Sequence, residues 1–538
     1  MKTIQSKFFK VFYPALVLMV FGLASSCKED EEDLAPMRMF QPGGAISASS
    51  GESSVRLSWK TPANTVAGNV TYTVEVAKDT LFQTPVVFTG TTDTTSIVIT
   101  DDQITVKETY FARIKTNGSD ASGGESKWLT SNRFSIRGAQ LFIDNPVKVE
   151  DITDRGVRLR FIGRAELTKV VLTPTSGAAI EVLLTDADKA AGFVLVDNLV
   201  SGLNYQAEIF AGTRGRGNTS FRTKEPLLGI IIDLRGITNN PEILKDTLPD
   251  IPNGSTVVLK RGLTYNVSST ILLDKSVTII SGSDLTEQSL ATIYFTSNFN
   301  TVAGSNIDYL VFKDVNMYSN DATGRYVFNI NAASTINTMT FDNVRASMFR
   351  GIVRLQSQPT TITDFTITNS ILDSLGSYGV INVDVVTSKV ENIVISNTTI
   401  YKAEKVISSR NNSTSVLIEN VTVNESPIAT QYLVDYSTAG TNNVTNGIKI
   451  RNTILGIGKG GSLAIKGVRA NTSTLVEAVN SYSTSDYVLT PTSGFAIPGL
   501  IAYPKTSLEL WQDPKNGNFR FKDASFPGKA TAGDPRWR

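Results

Sequence analysis

Between about Ile307 and Lys466 the chain writes one short pattern of apolar and polar positions six times. Its versions are Leu310-Val311-Phe312-Lys313-Asp314-Val315, Met339-Thr340-Phe341-Asp342-Asn343-Val344, Phe365-Thr366-Ile367-Thr368-Asn369-Ser370, Ile393-Val394-Ile395-Ser396-Asn397-Thr398, Val416-Leu417-Ile418-Glu419-Asn420-Val421 and Ile448-Lys449-Ile450-Arg451-Asn452-Thr453. Each alternates with period two and closes on Asn, or Asp in the first copy. The alternation predicts a strand, and the closing residue tolerates a left-handed turn. A second apolar segment follows each marker: Val327-Phe328-Asn329-Ile330, Ile352-Val353-Arg354-Leu355, Val380-Ile381-Asn382-Val383, Val406-Ile407-Ser408, Leu433-Val434-Asp435 and Ala464-Ile465-Lys466.

Short strands recurring every 23 to 32 residues, with no helical crossover between them, predict a parallel β-helix in which like strands stack turn on turn. Such turns bury one another's inward side chains and are stable only as a stack. The Asn column is expected to form a corner ladder with amides bonding between turns, a role in the scaffold and not in chemistry.

Upstream, from about Ala45 to Arg137, strict alternation returns in Val55-Arg56-Leu57-Ser58-Trp59, Tyr72-Thr73-Val74-Glu75-Val76 and Tyr110-Phe111-Ala112-Arg113-Ile114-Lys115. Short strands divided by Gly, Asn, Thr and Ser predict a β-sandwich. The early Trp59 and the late Tyr110-x-Ala-x-Ile resemble a fibronectin type III domain. A second unit repeats the plan, with Gly156-Val157-Arg158-Leu159-Arg160-Phe161 early and Leu203-Asn204-Tyr205-Gln206-Ala207-Glu208-Ile209 late. Spacer roles are expected, because neither unit gathers reactive residues. The triplet Arg113-Ile114-Lys115 matches part of the site of pectin-cleaving β-helix hydrolases, but it falls on a sandwich strand.

After Pro226, Asn239 to Lys245 reads as a short helix with Pro241 in its first turn. Ile251-Pro252-Asn253-Gly254 through Lys260-Arg261-Gly262 to Tyr265 follows as turn, strand and turn. Together they resemble the opening of pectate-lyase-like right-handed β-helix proteins, in which a helix plugs the open end. The ending, from Trp511-Gln512-Asp513-Pro514 to Gly533-Asp534-Pro535-Arg536-Trp537, resembles the closing segment of the same group. The expected fold is all-β: a leader (1–26), an acidic tether (27–44), fibronectin-like domains (45–137 and 138–225), a right-handed parallel β-helix (226–480) and a closing segment (481–538).

Lys2, Lys7 and Lys10, the apolar run Val11 to Ala24, and Ser25-Ser26 form a secretory leader, followed at once by Cys27, the only cysteine of 538 residues. A lone thiol excludes an intrachain disulfide and points to an acylated N-terminus. The run Lys28 to Asp33 resembles the acidic tether of surface lipoproteins of the Bacteroides group, although Leu23 stands four residues before Cys27 where the usual box has three. Leader, sandwiches, β-helix and ending together resemble an uncharacterised surface lipoprotein family of such bacteria. That resemblance implies an outer-membrane, lipid-anchored protein that accompanies other surface glycan-uptake proteins. With 51 basic and 50 acidic residues, the charge argues against nucleic acid as a partner.

No histidine occurs, which excludes Ser-His-Asp and Cys-His triads and His-ligated zinc. What remains is Asp, Glu, Lys, Arg, Tyr and oxygen-ligated calcium. The outward position of the second strand reads Asn329, Arg354, Asn382, Ser408, Asp435, Lys466. Stacked about 4.8 Å apart, these would form a polar stripe roughly 25 Å long. Arg325, Arg345 and Arg350 lie near it in sequence, as do Lys449, Arg451, Lys459 and Arg469, while Tyr326, Tyr378 and Tyr432 could offer ring faces to sugars. The carbohydrate-binding candidates are therefore Asn329, Arg350, Arg354, Asn382, Asp435, Lys466, Tyr326, Tyr378 and Tyr432. Paired Arg donors suit a uronate carboxylate, so the reading is an anionic-polysaccharide binder with no cofactor and no assigned catalytic residue. One alternative is a polysaccharide lyase acting by β-elimination, with calcium where the lyase type needs it. Another is a structural or protein-binding module, since any β-helix shows polar residues outward. A glycosidase pair of Glu404 and Asp435 has no supporting spacing.

Overall fold

The structure, a computed structural model, describes residues 38–66, 68–118, 124–436, 442–461 and 464–538. The expected leader and Cys27, the expected site of acylation, lie outside the described residues. Among those described, no helix is long and apolar enough to cross a membrane.

Seven strands form the first domain: β1 (Gly43–Ser50), β2 (Ser54–Lys60), β3 (Tyr72–Ala77), β4 (Phe88–Thr92), β5 (Ser96–Thr100), β6 (Phe111–Thr116) and β7 (Leu129–Thr130). One antiparallel sheet is ordered β1-β2-β5 and the other β4-β3-β6-β7, the three-plus-four arrangement of a fibronectin type III sandwich. The period-two pattern puts Val55, Leu57 and Trp59 of β2 and Val74 and Val76 of β3 into the core, where Trp59 meets Tyr72 edge-on at 5.2 Å. Arg113 and Lys115 point outward, and Arg113 bonds Glu75 across the sheet at 2.7 Å. The Arg-Ile-Lys triplet therefore serves the sandwich.

The second fibronectin-like domain comprises β8 (Val157–Arg160), β9 (Lys169–Pro174), β10 (Ile180–Leu183), β11 (Phe193–Val196), β12 (Asn204–Ala211) and β13 (Arg214–Arg222), in sheets ordered β10-β9-β12-β13 and β11-β8. A helix that the strand pattern does not announce, α1 (Asp186–Ala191), links β10 to β11. It starts with a reciprocal capping box between Thr185 and Asp188 and stops where Gly192 takes φ +72°.

From residue 230 to 483 the chain makes about nine turns of a parallel β-solenoid. Three faces repeat. Sheet a runs from Ile230–Asp233 to Val476–Val479, sheet b from Thr264–Val267 to Ile501–Ala502, and sheet c from Ile271–Leu273 to Lys466–Arg469. The marker residues form the corner between a and b. Asp314, Asn343, Asn369, Asn397, Asn420 and Asn452 all have φ between 48° and 56°, and Asn480 joins them at 46°. These are left-handed values that Asn tolerates better than most residues. The amides step from turn to turn: Asn343 Nδ2 donates to Asp314 Oδ1 at 2.6 Å, Asn397 to Asn369 at 3.3 Å, Asn420 to Asn397 at 3.1 Å and Asn480 to Asn452 at 2.8 Å. Asn369 reaches Asp342 instead, at 2.8 Å. Inside, a continuous apolar core contains the stacked pair Phe312 and Phe341, 5.3 Å apart.

At the N-terminal end, α2 (Ile243–Thr247) buries Leu244, and Leu248 just beyond it, against the first turns. It begins later than the expected Asn239, because the Pro241 carbonyl accepts a backbone bond from Asn266 at 2.7 Å and residues 239–242 form a turn in which Asn240 Oδ1 accepts from Glu242 N at 3.1 Å. At the far end Tyr487 and Ile497 complete the core. The remaining chain includes α3 (Ser507–Leu510). It turns back along sheet b, where Trp511, Phe519 and Phe526 pack with Tyr401, Ile454 and Tyr482. The outward column of sheet b there reads Ile371, Thr399, Thr422, Ile454, Tyr482, a mixed apolar and hydroxyl surface that needs cover.

Candidate functional site

Strand pairing in sheet c fixes which residues share a column. Asn329 pairs with Arg354, Arg354 with Asn382, Asn382 with Ser408 and Ser408 with Asp435. The sixth place belongs to Arg469, because Val468 fills the interior beside Val434 and the strand continues past Gly467. Lys466, expected in that place, stands instead beside Tyr432. The reason is local: a Cβ on Gly467 would lie 2.2 Å from the Phe495 carbonyl oxygen, so glycine alone lets the strand run through.

The stripe is not uniformly open. Near one end Arg354 donates through Nε and Nη2 to Asp384 Oδ2, at 3.1 and 2.5 Å, and its guanidinium lies 4.6 Å from the ring centre of Tyr378 and 5.7 Å from that of Tyr326. At the other end Arg469 grips both oxygens of Asp435, at 2.7 and 2.9 Å, and lies 4.2 Å from the ring centre of Tyr432. Lys466 covers the same ring at 4.9 Å. Tyr326 and Tyr432 are buried. The three tyrosines thus present their faces to cations of this chain, contacts worth roughly 0.5–2 kcal/mol each.

Between these two ends lies a cleft of about 320 Å³ lined by Arg350, Ser377, Tyr378, Asn382, Val383, Asp384, Lys405, Ser408, Arg410 and Asp435. Its floor is the column pair Asn382 and Ser408, both buried, and Asn382 Oδ1 has no hydrogen-bond partner. A buried acceptor left unpaired costs about 1–3 kcal/mol, so a donor arriving from a ligand would be favoured there. Arg350 donates to Ser377 Oγ at 3.3 Å and lies 4.5 Å from the ring centre of Tyr378. No carboxylate pairs with it among the described residues, nor with Lys405. Burial lowers the pKa of Lys405, against the opposing pull of Asp435, Glu404 and Asp384. Two glycines make room: a Cβ on Gly351 would lie 2.8 Å from Tyr378 Cβ, and Gly379, at φ +65°, abuts the Lys405 carbonyl.

The two basic clusters of the sequence are therefore divided by the fold. Arg350, Arg354, Lys466 and Arg469 reach sheet c, whereas Arg345 stands on sheet b beside Asp373 and Lys449 and Arg451 stand on sheet a. Lys459 pairs with Glu404 at 3.6 Å, and Asp435 is held by Arg469, so Glu404 and Asp435 do not face each other as a free pair. The repeat pattern does not point to Asp384, Arg410 or Ser377, nor directly to Lys405. Lys405 had a signal: extending the alignment of the second strands upstream puts it in the column of Tyr326 and Tyr432. Among the described residues no group of three Asp, Glu or Cys side chains gathers to hold a metal.

No curated protein matches the chain. Among solved structures it is similar to the two-domain fibronectin type III segment of chicken tenascin, at 15% identity over 34% of this chain and 97% of that one, TM-score 0.18. It is also similar to the FN1–FN3 domains of chicken CNTN1, at 13% identity over 35% of this chain and 66% of that one, TM-score 0.15. Two family models match the C-terminal part: Domain of unknown function (DUF4957) over residues 263–403 and Domain of unknown function (DUF5123) over residues 416–537. The first spans most of the solenoid and the second its last turns with the flanking segment; the cleft takes Arg350 to Asp384 from the first and Asp435 from the second, while Lys405, Ser408 and Arg410 lie between the two matched segments.

Proposed function

We propose that the protein binds an acidic polysaccharide in the cleft on sheet c, held at a bacterial outer membrane by an acylated Cys27 and acting beside other surface proteins of glycan uptake. One observation carries the reading: Arg350 and Lys405, cations with no carboxylate at ion-pair distance among the described residues, line the same cleft as the unpaired Asn382 Oδ1. A uronate offers the matching set, a carboxylate for the cations and hydroxyl donors for the amide. The surface setting rests on the leader, the lone cysteine and the acidic run. Migration of the chain without its leader through gels containing polygalacturonate, alginate or a glycosaminoglycan tests the binding. Retardation that Lys405→Ala and Arg350→Ala each relieve supports it, and free migration in every gel removes it. Mass spectrometry of the mature protein, with residue 27 unmodified, would remove the anchor.

A second reading is favoured by the lowered pKa of Lys405. A neutral amine there could take the C5 proton of a uronate, with the C4–O bond breaking, C4=C5 forming and a proton returning to the leaving oxygen. Unsaturated products absorbing in the ultraviolet would favour this reading. Retention without products favours binding alone. Neither signal leaves a structural or protein-binding module.

A further inference from the structure

The two ion pairs of the stripe occupy related places. Arg354 stands one turn before the cleft floor and Arg469 one turn beyond Asp435, in one continuous column. Each guanidinium is fixed twice, by a carboxylate that lines the cleft and by a tyrosine face. Only Asn382 and Ser408 lie between Arg354 and Asp435 in that column. At about 4.8 Å per turn, Arg354 and Arg469 are roughly 19 Å apart, and the floor between them is far shorter. The 320 Å³ of the cleft is at the lower end of the ~300–1,000 Å³ of small-molecule pockets. The faces of Tyr326, Tyr378 and Tyr432 are covered by cations of this chain, while Phe495, packed on Tyr432 in the turn that follows Arg469, lies outside the second pair and is separated by it from the cleft.

Resting on the reading of the cleft as an acidic-glycan site, we infer that it takes a chain end, one or two acidic sugar residues, and that the pairs Arg354–Asp384 and Arg469–Asp435 are the walls that exclude the interior of a polymer. The carboxylate of the end residue sits at Arg350 and Lys405, and its hydroxyls meet Asn382 and Ser408. Arg354, Asp384, Arg469 and Asp435 then set specificity for length more than for charge, because each carboxylate offsets its own Arg, with Arg410 3.8 Å from Asp384 adding one positive charge at the first wall. A groove for internal segments would instead leave its two ends free of such paired side chains.

Calorimetric titration with galacturonate and mannuronate oligomers from dimer to hexamer, and with the long polymers, tests this on the full mature chain. Affinity counted per chain should stay level from the dimer to the polymer, so that affinity per unit mass falls as chains lengthen. Removing one wall without changing net charge, by the double variant Arg469→Ala with Asp435→Ala, should raise hexamer affinity roughly tenfold relative to dimer. Affinity that climbs in the unmodified protein with each added residue to the hexamer would overturn the inference and leave acidic-glycan binding standing. No binding by any member overturns both. Should the double variant fail to fold, the length series on the unmodified protein decides alone.

Discussion

Lys405 is where the sign of a pH effect can be read from the environment of one residue. Its burial disfavours the ammonium, while Asp435, Glu404 and Asp384 restrain the shift without cancelling it. An acidic ligand binds the charged form and so raises the pKa of the bound state. Affinity is then level at pH values where the free lysine is protonated and falls as pH rises through its lowered pKa, earlier than the ~10.4 of an ordinary lysine would allow. A calorimetric pH series should show this loss, and Lys405→Arg, which stays charged throughout, should abolish it. An elimination that uses the neutral amine has the opposite sign, with activity rising over the same window. Position separates Lys405 from Lys466, two turns further along the same side of the stripe. Lys405→Ala removes a charge-assisted contact of ~1.5–3 kcal/mol, roughly 10- to 100-fold in affinity. Lys466→Ala should change retention little, because Lys466 lies over Tyr432 and does not line the cleft. Equal losses in the two variants would show that the stripe acts as diffuse charge and not as a site.

The corner between sheets a and b shows what a strand-and-turn element asks of one residue. Asn397 holds φ +48°, donates to Asn369 and accepts from Asn420. Asn397→Ala loses both bonds and adds the left-handed penalty of ~1–2 kcal/mol, whereas Asn397→Gly loses the bonds and takes the turn freely. Alanine should therefore unfold at lower urea than glycine by that ~1–2 kcal/mol, and equal midpoints would show that the turn is not strained. This element was legible in the sequence because period-two apolar residues and a left-handed Asn are both local signals. Where those signals weaken, so does the reading. Asn480 does not show as a marker in the sequence because Ala478 stands where other copies have a large side chain. The expected last strand of sheet c lies three residues early because Ala464-Ile465-Lys466 and Gly467-Val468-Arg469 carry the same alternation, and only the pairing of Val468 with Val434 chooses between them. The cleft was half legible for the same reason: Arg350, Arg354 and Asn382 lie on or beside the repeat, while Asp384 and Arg410 sit past the strand ends, where sequence gives no column.

At the scale of the molecule, the least legible feature was where the last thirty or so residues go. The aromatic ending could be seen, but its landing place depends on sheet b turning Ile371, Thr399, Thr422 and Ile454 outward, positions that read in sequence as ordinary members of a β-helix turn. The docking is specific. Asp534 is almost wholly buried and accepts from Thr399 Oγ1 at 2.7 Å and from Arg536 Nη1 at 2.9 Å. Arg536 also donates to the carbonyl oxygens of Asn369 and Ser370, at 2.6 and 3.3 Å, and Trp537 Nε1 reaches Thr399 at 2.7 Å. Burial holds the Asp534 pKa above the usual carboxylate range. This contribution is fully present below the ordinary carboxylate pKa and is lost as pH rises through the raised value, so the docked ending should be held more tightly in mild acid. Arg536→Ala leaves the buried carboxylate without its cation and the two carbonyls without a donor, a loss of ~1.5–3 kcal/mol at one attachment point. The solenoid core does not include Arg536, so the loss should appear as local release and not global unfolding. Amide hydrogen exchange should quicken across residues 503–538 and in the sheet b strands beneath them, most of all at neutral pH, while the sheet a strands keep their protection. Protection lost uniformly from residue 230 onward would mean instead that the ending is part of one cooperative unit with the turns it covers.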